Sequence, residues 1–333
     1  MKLSYILFVW LLSATSGFAQ IAFSAQATNW NDHIDNVSRS QIKLLDDKVI
    51  ESFYEGNGQK LTSMFSDRLK SIAGNKIDDL IKMIHPVVTT KEYSLLDEYL
   101  TKSPTVGGTT SVFKGVSGDE DYKVNFEIMV KQTYVSLIIY KTPLKDLLFT
   151  CIYGKYDDGW KINILRAGVY KILDKSAFDF FKKAKKIYES GNLIDAWNNL
   201  CMAKQTAVPA ENYFVYFKLP EMESFGNKVD AEMRDKFPIP MTIREVKTLP
   251  QILNEEQVII NEGMFPSVSY LTKIDLKDVK SLTAENEEIK KRIGLIFPGI
   301  DKNKKYVFFK AFNEIPNGKT PVEHYGFMLK IPQ

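Results

Sequence analysis

The chain has 333 residues, 44% of them hydrophobic and 26% charged, with a formal net charge of +3. Those values exclude wholesale disorder, and the length calls for two or three compact units rather than one. Three histidines and two cysteines make a His-rich metal centre and a disulfide-stapled scaffold poor expectations. Lysines and acidic residues are interspersed. The densest basic stretches, Lys182 to Lys186 and Lys302 to Lys305, have the form of solvated flanks, so no nucleic-acid partner is expected.

Met1-Lys2 and the apolar run Leu3 to Leu12 have the form of a secretory signal, with Gly17 and Ala19 at the −3 and −1 positions before Gln20. Residues 1–19 are therefore expected to be removed; an uncleaved anchor is the alternative. The apolar run falls short of the roughly 20 residues a membrane-spanning helix needs, and no later stretch approaches that length. The expectation is an exported protein, periplasmic or extracellular, soluble after cleavage and without a membrane span.

Residues 20–39 are polar and weakly patterned, as in a leader arm. From Ser40, a possible cap, Ile42, Leu45, Val49, Phe53 and Tyr54 recur at helical spacing until Gly56-Asn57-Gly58. Leu61, Met64, Phe65, Leu69 and Ile72 predict a second helix, and Ile77, Leu80, Ile81 and Ile84 a third, closed by Pro86. Tyr93 to Leu100 fits a strand or a short helix. Strands follow from Ser111. In Tyr122 to Val130 the residues Tyr122, Val124, Phe126, Ile128 and Val130 share one face. Three more segments extend to Tyr170, and Asp157-Asp158-Gly159 closes the last hairpin. The fold class is α+β, with N-terminal helices covering a curved antiparallel sheet.

The run from Val49 to Lys70, helix–Gly/Asn turn–helix, resembles the opening of nuclear-transport-factor-2-like domains. The run Tyr153 to Ile172, in which Gly159-Trp160-Lys161-Ile162 opens the last strand, is similar to their terminal hairpin. The likeness covers about 40–172. It implies a cone-shaped domain with a cavity, used by some members for isomerase, dehydratase or hydrolase chemistry and by many others for binding alone. The enzymes of that type use a His–Asp pair or a Tyr with an acidic partner. Tyr54, Phe65, His85, Phe126, Tyr140 and Trp160 are the pocket candidates, although at these spacings the aromatic residues also fit an ordinary core. His85, beside Pro86, has no orienting acid fixed by sequence, and Asp157 and Asp158 fit a turn first.

Ala184 to Pro209 resembles one tetratricopeptide repeat, through Ala184, Gly191, Leu193, Ala196, Leu200, Ala203 and Pro209. A lone repeat cannot bury both faces, so 173–210 reads as a helical hairpin packed against neighbours. Residues 211–333 read as a second α+β domain with mainly antiparallel strands. Its helices are marked by Phe225, Val229, Met233 and Phe237, and by Ile289, Ile293, Ile296 and Phe297 with Thr283 as cap. Strands are expected at Met241 to Thr248, Gln257 to Ile260, Val268 to Ile274, Lys305 to Phe312 and Val322 to Ile331.

Dinucleotide, P-loop, zincin, redox-cysteine and nucleophile-elbow patterns are missing from the sequence, and no cofactor is expected. Cys151 and Cys201 read as two buried thiols, with a bridge between them as the alternative. The expected function is non-catalytic binding of a small apolar ligand or a protein partner. The alternative is a hydrolase or isomerase of the cone type, which a buried carboxylate of raised pKa would favour.

Overall fold

The computed structural model describes residues 27–74 and 76–331. The expected signal, 1–19, lies outside them, as does the start of the expected arm. The described chain is α+β, with eight α-helices and thirteen strands in three mainly antiparallel sheets. It divides into two units: the N-terminal one runs to Tyr170 and takes back Val208–Phe217, and the other holds Lys171–Ala207 and everything from Lys218 onward. The expected boundaries at 172/173 and 210/211 thus differ from this division in two respects. The helical hairpin joins the C-terminal unit, and a short segment returns to the first because Phe214, Val215 and Tyr216 pair with Val124, Lys123 and Tyr122.

The N-terminal unit contains β1 (Ala27–Trp30), α1 (Asn36–Tyr54), α2 (Gly58–Thr62), α3 (Asp67–Ala73) and α4 (Lys76–Ile84). It continues through β2 (Ser94–Lys102), β3 (Thr109–Lys114), β4 (Tyr122–Glu127), β5 (Gln132–Lys141), β6 (Lys145–Tyr156), β7 (Gly159–Ile172) and β8 (Phe214–Tyr216). Residues 27–35, expected to be part of an arm, instead form β1 on the edge of β2 and lead into α1. The α1 cap is Asp35, which accepts from the Ser38 amide at 2.8 Å, rather than Ser40. We predict that Asp35→Ala lowers the stability of this unit by about 1 kcal/mol in urea unfolding, the usual cost of losing such a cap. An unchanged midpoint would mean that the cap contributes nothing. Buried Ile42, Val49, Ile50 and Phe53 form the helix's core stripe. The helix ends at Gly56, whose φ of +66° favours glycine.

The single expected helix over Leu61 to Ile72 is two, α2 and α3. Between them the chain meets β7: the Ser66 amide donates to Ile162 O at 2.9 Å and the Ile162 amide to Met64 O at 2.8 Å. Ser66 then caps α3. Tyr93 to Leu100 proves to be mostly strand β2, and β2 determines the sheet order β1-β2-β5-β6-β7. With both edges of β5 taken, by β2 and β6, the segment from Tyr122 cannot join its expected neighbours. As β4 it forms a separate sheet, β3-β4-β8.

Register assigns the faces. Glu98 pairs with Ser136, Ser136 with Cys151, and Tyr134 with Tyr153, so all five share one face of the larger sheet. That face carries α1, as Phe53 lies 5.0 Å from Phe149 between ring centroids. Asp97 and Tyr99 point the other way, toward Tyr122 of β4.

The C-terminal unit holds α5 (Ala177–Glu189), α6 (Leu193–Ala207), α7 (Leu219–Lys236) and α8 (Val279–Ile296). Its strands are β9 (Met241–Thr242), β10 (Gln251–Ile260), β11 (Gly263–Leu271), β12 (Tyr306–Phe312) and β13 (His324–Lys330), in the order β13-β12-β11-β10-β9. Helices α5 and α6 close through Gly191, at φ +81°, and bury Ala184, Ala196 and Ala203 against their surroundings. The expected strand Met241 to Thr248 is only two residues long, because the chain turns where the Ile243 amide meets Pro250 O at 2.8 Å. Strand β10 begins earlier than expected, at Gln251. The α8 cap is Asp278, not Thr283, whose hydroxyl bonds back to Val279 O at 2.7 Å. β11 and β12 are parallel, joined by α8, while the other pairs in this sheet are antiparallel.

Candidate functional site: tyrosine–carboxylate pairs in the N-terminal unit

Position along α1 forces a carboxylate into the core. Asp46 lies four residues after Ile42 and three before Val49, so it occupies the apolar stripe and is 0% exposed. Its two oxygens are both taken, by the Tyr153 hydroxyl at 2.6 Å and the Ser136 hydroxyl at 2.7 Å. Burial raises its carboxyl pKa to about 7 against the pull of these two donors. Its neighbour Asp47, turned about 100° around the helix, accepts from the Tyr93 hydroxyl at 2.7 Å and from Lys43 at 2.8 Å.

Strand alternation makes the same arrangement on β2. Glu98 faces α1, where it accepts from the Tyr134 hydroxyl at 2.5 Å and from Arg39 at 3.1 and 3.2 Å. Asp97, on the opposite face, accepts from the Tyr122 hydroxyl at 2.5 Å and from Asn31 at 2.8 Å. Each of these tyrosines is raised above its ordinary pKa, by burial first, with a neighbouring carboxylate adding to the effect. Protonated phenols thus donate to acids at two seams of the unit. The pairs join α1 to the larger sheet through Asp46 and Glu98, and that sheet to the smaller one through Asp97.

Cys151 lies on the α1 side of the sheet, fully buried. Burial, and after it the charge of Asp46, hold its thiol well above the ordinary value, which leaves it inert as a nucleophile. Both cysteines are free, so the alternative bridge is not formed.

The sequence-derived pocket candidates occupy several places. Phe65 is buried and bridges to Ile162, two residues beyond Trp160. Trp160 donates to Gln41 at 2.9 Å and meets Tyr134 edge-on, with centroids 6.0 Å apart. Tyr140 is buried, and its hydroxyl accepts from the Thr89 and Thr90 amides at 2.8 and 2.9 Å. Phe126 belongs to the smaller sheet.

Tyr54 and His85 are exposed around the end of α1. His85 Nδ1 lies 3.0 Å from Phe53 O, and its ring packs 3.3 Å from where a Cβ on Gly56 would stand. Lys91 sits over the Tyr54 ring at 5.5 Å. Asp158 pairs with Lys161 at 2.7 Å in its turn. Sequence reasoning missed Asp46, Asp97 and Glu98. One signal was present for Asp46, an acid placed on an otherwise apolar helical stripe.

Chemically, the arrangement can store a proton on Asp46 and brace a helix against a sheet. Asp46 and Glu98 are 0% and 4% exposed, and each already accepts from neighbouring side chains. Among the described residues, no group of three or more His, Cys, Asp or Glu side chains could hold a metal ion, and no helix is long and apolar enough to cross a membrane. In comparisons with known proteins, no family model, no curated protein and no solved structure matches this chain.

Proposed function

We propose that this is an exported, non-catalytic binding protein whose N-terminal unit is a cone-like α+β module and whose α5–α6 hairpin is tetratricopeptide-like. The observation carrying the non-catalytic reading is the engagement of the interior acids: both Asp46 oxygens, and Glu98 on both sides, are held by side chains of the same unit. A general base must reach a substrate proton, and these acids are closed off. Helices followed by antiparallel strands support the likeness to nuclear-transport-factor-2-like domains. The segment 1–19 supports export. A protein partner or small apolar ligand would then meet an outer surface, and the exposed Tyr54, with His85 and Lys91 nearby, offers an aromatic anchor of the kind interfaces favour.

The hydrolase or isomerase alternative rests on Asp46, whose pKa of about 7 suits a base at neutral pH. The decisive experiment uses the secreted chain, with its N-terminus sequenced to verify Gln20. Ester, phosphoester, glycoside and isomerisation substrates are assayed beside native mass spectrometry and cross-linking of the exported fraction. The expected result is a bound ligand or a cross-linked partner, with loss of that binding in Tyr54→Ala and no turnover. Turnover that disappears in both Asp46→Asn and Glu98→Gln would replace this reading with the enzyme.

A further inference from the structure

The C-terminal unit has one set of buried polar groups that differs from the tyrosine–carboxylate pairs of the N-terminal one. In its sheet Glu255 pairs with Val268 and Val268 with Phe309, so these share a face, and Tyr270, two residues beyond Val268, lies on it too. All of these are buried, whereas Glu256, Phe308 and Lys310 on the opposite face are only half-buried. The helices therefore cover the first face. Helix α8 presents Leu282, Glu285, Asn286, Ile289 and Ile293 as its buried stripe, which puts an acid and an amide at the middle of a core-facing surface.

The Tyr270 hydroxyl, both carboxylate oxygens of Glu285 and both polar atoms of the Asn286 side chain have no hydrogen-bond partner among the described residues. Glu285 is 4% exposed, and Tyr270 and Asn286 are 0% exposed. Burial, and after it the charge of Glu285, raise the Tyr270 hydroxyl. The two groups are thus close enough to interact electrostatically, yet the phenol does not donate to the acid. In the N-terminal unit the opposite holds, since Tyr134, Tyr153 and Tyr122 each donate directly to a carboxylate. Where this chain means a buried tyrosine to satisfy an acid, the two touch. Here the phenol and the acid do not bond to each other, and both lack a partner among the described residues.

A buried carboxylate that accepts nothing is among the costliest arrangements a core can hold. Such groups in native proteins have an ion or a water as the missing partner. The available donors are all oxygen: two from Glu285, the Tyr270 hydroxyl and the Asn286 amide oxygen, a hard set with no sulfur or imidazole. Divalent sites generally gather several carboxylates, and no group of three or more metal-binding acids, cysteines or histidines occurs among the described residues. One acid with neutral oxygens instead balances a single positive charge. We propose that Glu285, with Tyr270 and Asn286, holds a monovalent alkali cation inside the C-terminal unit.

The test is thermal unfolding of the secreted chain at constant ionic strength in sodium, potassium or tetramethylammonium chloride, with calcium and magnesium chloride as further arms. A saturable rise of about 4 °C or more in one alkali salt over tetramethylammonium is expected, the scale set by mass action on the native state. Glu285→Gln should abolish the rise and Tyr270→Phe should reduce it. Broadening of the 23Na resonance by wild type but not by either variant gives a second readout, and Tyr270→Phe suffices if Glu285→Gln fails to fold. Equal melting in every salt means that water alone satisfies these groups, and overturns the proposal. So does a response confined to calcium or magnesium, or an alkali response that Glu285→Gln retains.

Discussion

Asp46→Asn is expected to flatten the pH dependence of stability. In the folded protein the Asp46 carboxyl titrates at about 7, raised by burial from 3.8. The unfolded chain therefore gives up this proton first as the pH rises, and folding stability falls between pH 3.8 and about 7. Below that window both states are protonated and the group has no effect; above it the penalty is constant. A shift of this size corresponds to roughly 4 kcal/mol at about 1.4 kcal/mol per pH unit. An asparagine keeps one acceptor for the Tyr153 or Ser136 hydroxyl, donates with its amide to the other, and does not ionise. The stability gained by the variant over wild type should thus grow by a few kcal/mol from pH 4 to pH 8 in urea titrations. Parallel curves across that range would show that Asp46 does not titrate near neutrality.

Arg39→Met should be the most damaging single change on the exposed side of α1. It removes both donors that Arg39 aims at Glu98, at 3.1 and 3.2 Å, and leaves a carboxylate of 4% exposure with Tyr134 as its remaining partner. Stripping one partner from a buried pair costs about 3 to 5 kcal/mol. The Arg39 side chain is 34% exposed, so water replaces part of the loss and about 2 to 3 kcal/mol is expected. The Asp32 contact contributes little to this, because that side chain is 94% exposed. Adding Glu98→Gln should recover at least half of the loss by removing the stranded charge. A double-mutant cycle in urea, with a coupling energy indistinguishable from zero, would refute the pairing.

These expectations also show which parts of the molecule were legible before the structure. Helix α4 and the stripe of α1 were written in apolar spacing, and β5, β6 and β7 in the alternation and the Asp157-Asp158-Gly159 turn. Caps were less legible. Ser40 and Thr283 are sound capping residues by type, yet Asp35 and Asp278 cap instead, since edge pairing of β1 and the turn after Ile274 decide where each helix can begin. The Leu61 to Ile72 stripe reads as one helix because periodicity does not register that Met64 and Ser66 are claimed by β7.

Local sequence by itself determined most element types, the mostly antiparallel character and the scarcity of histidine and cysteine, because periodicity, turn residues and composition act over a few neighbours. Tertiary structure decided which strands share a sheet. Tyr122 to Glu127 alternates as well as any strand here, but β2, from a segment whose helix-or-strand character was ambiguous, occupies the edge of β5 it would have needed. It also decided the candidate site. Asp46 meets Tyr153 across 107 positions and Ser136 across 90, distances along the chain that no local pattern spans. An acid on an apolar stripe announces only that a partner is needed; the partner is chosen by sheet register, which exists only once the chain has folded.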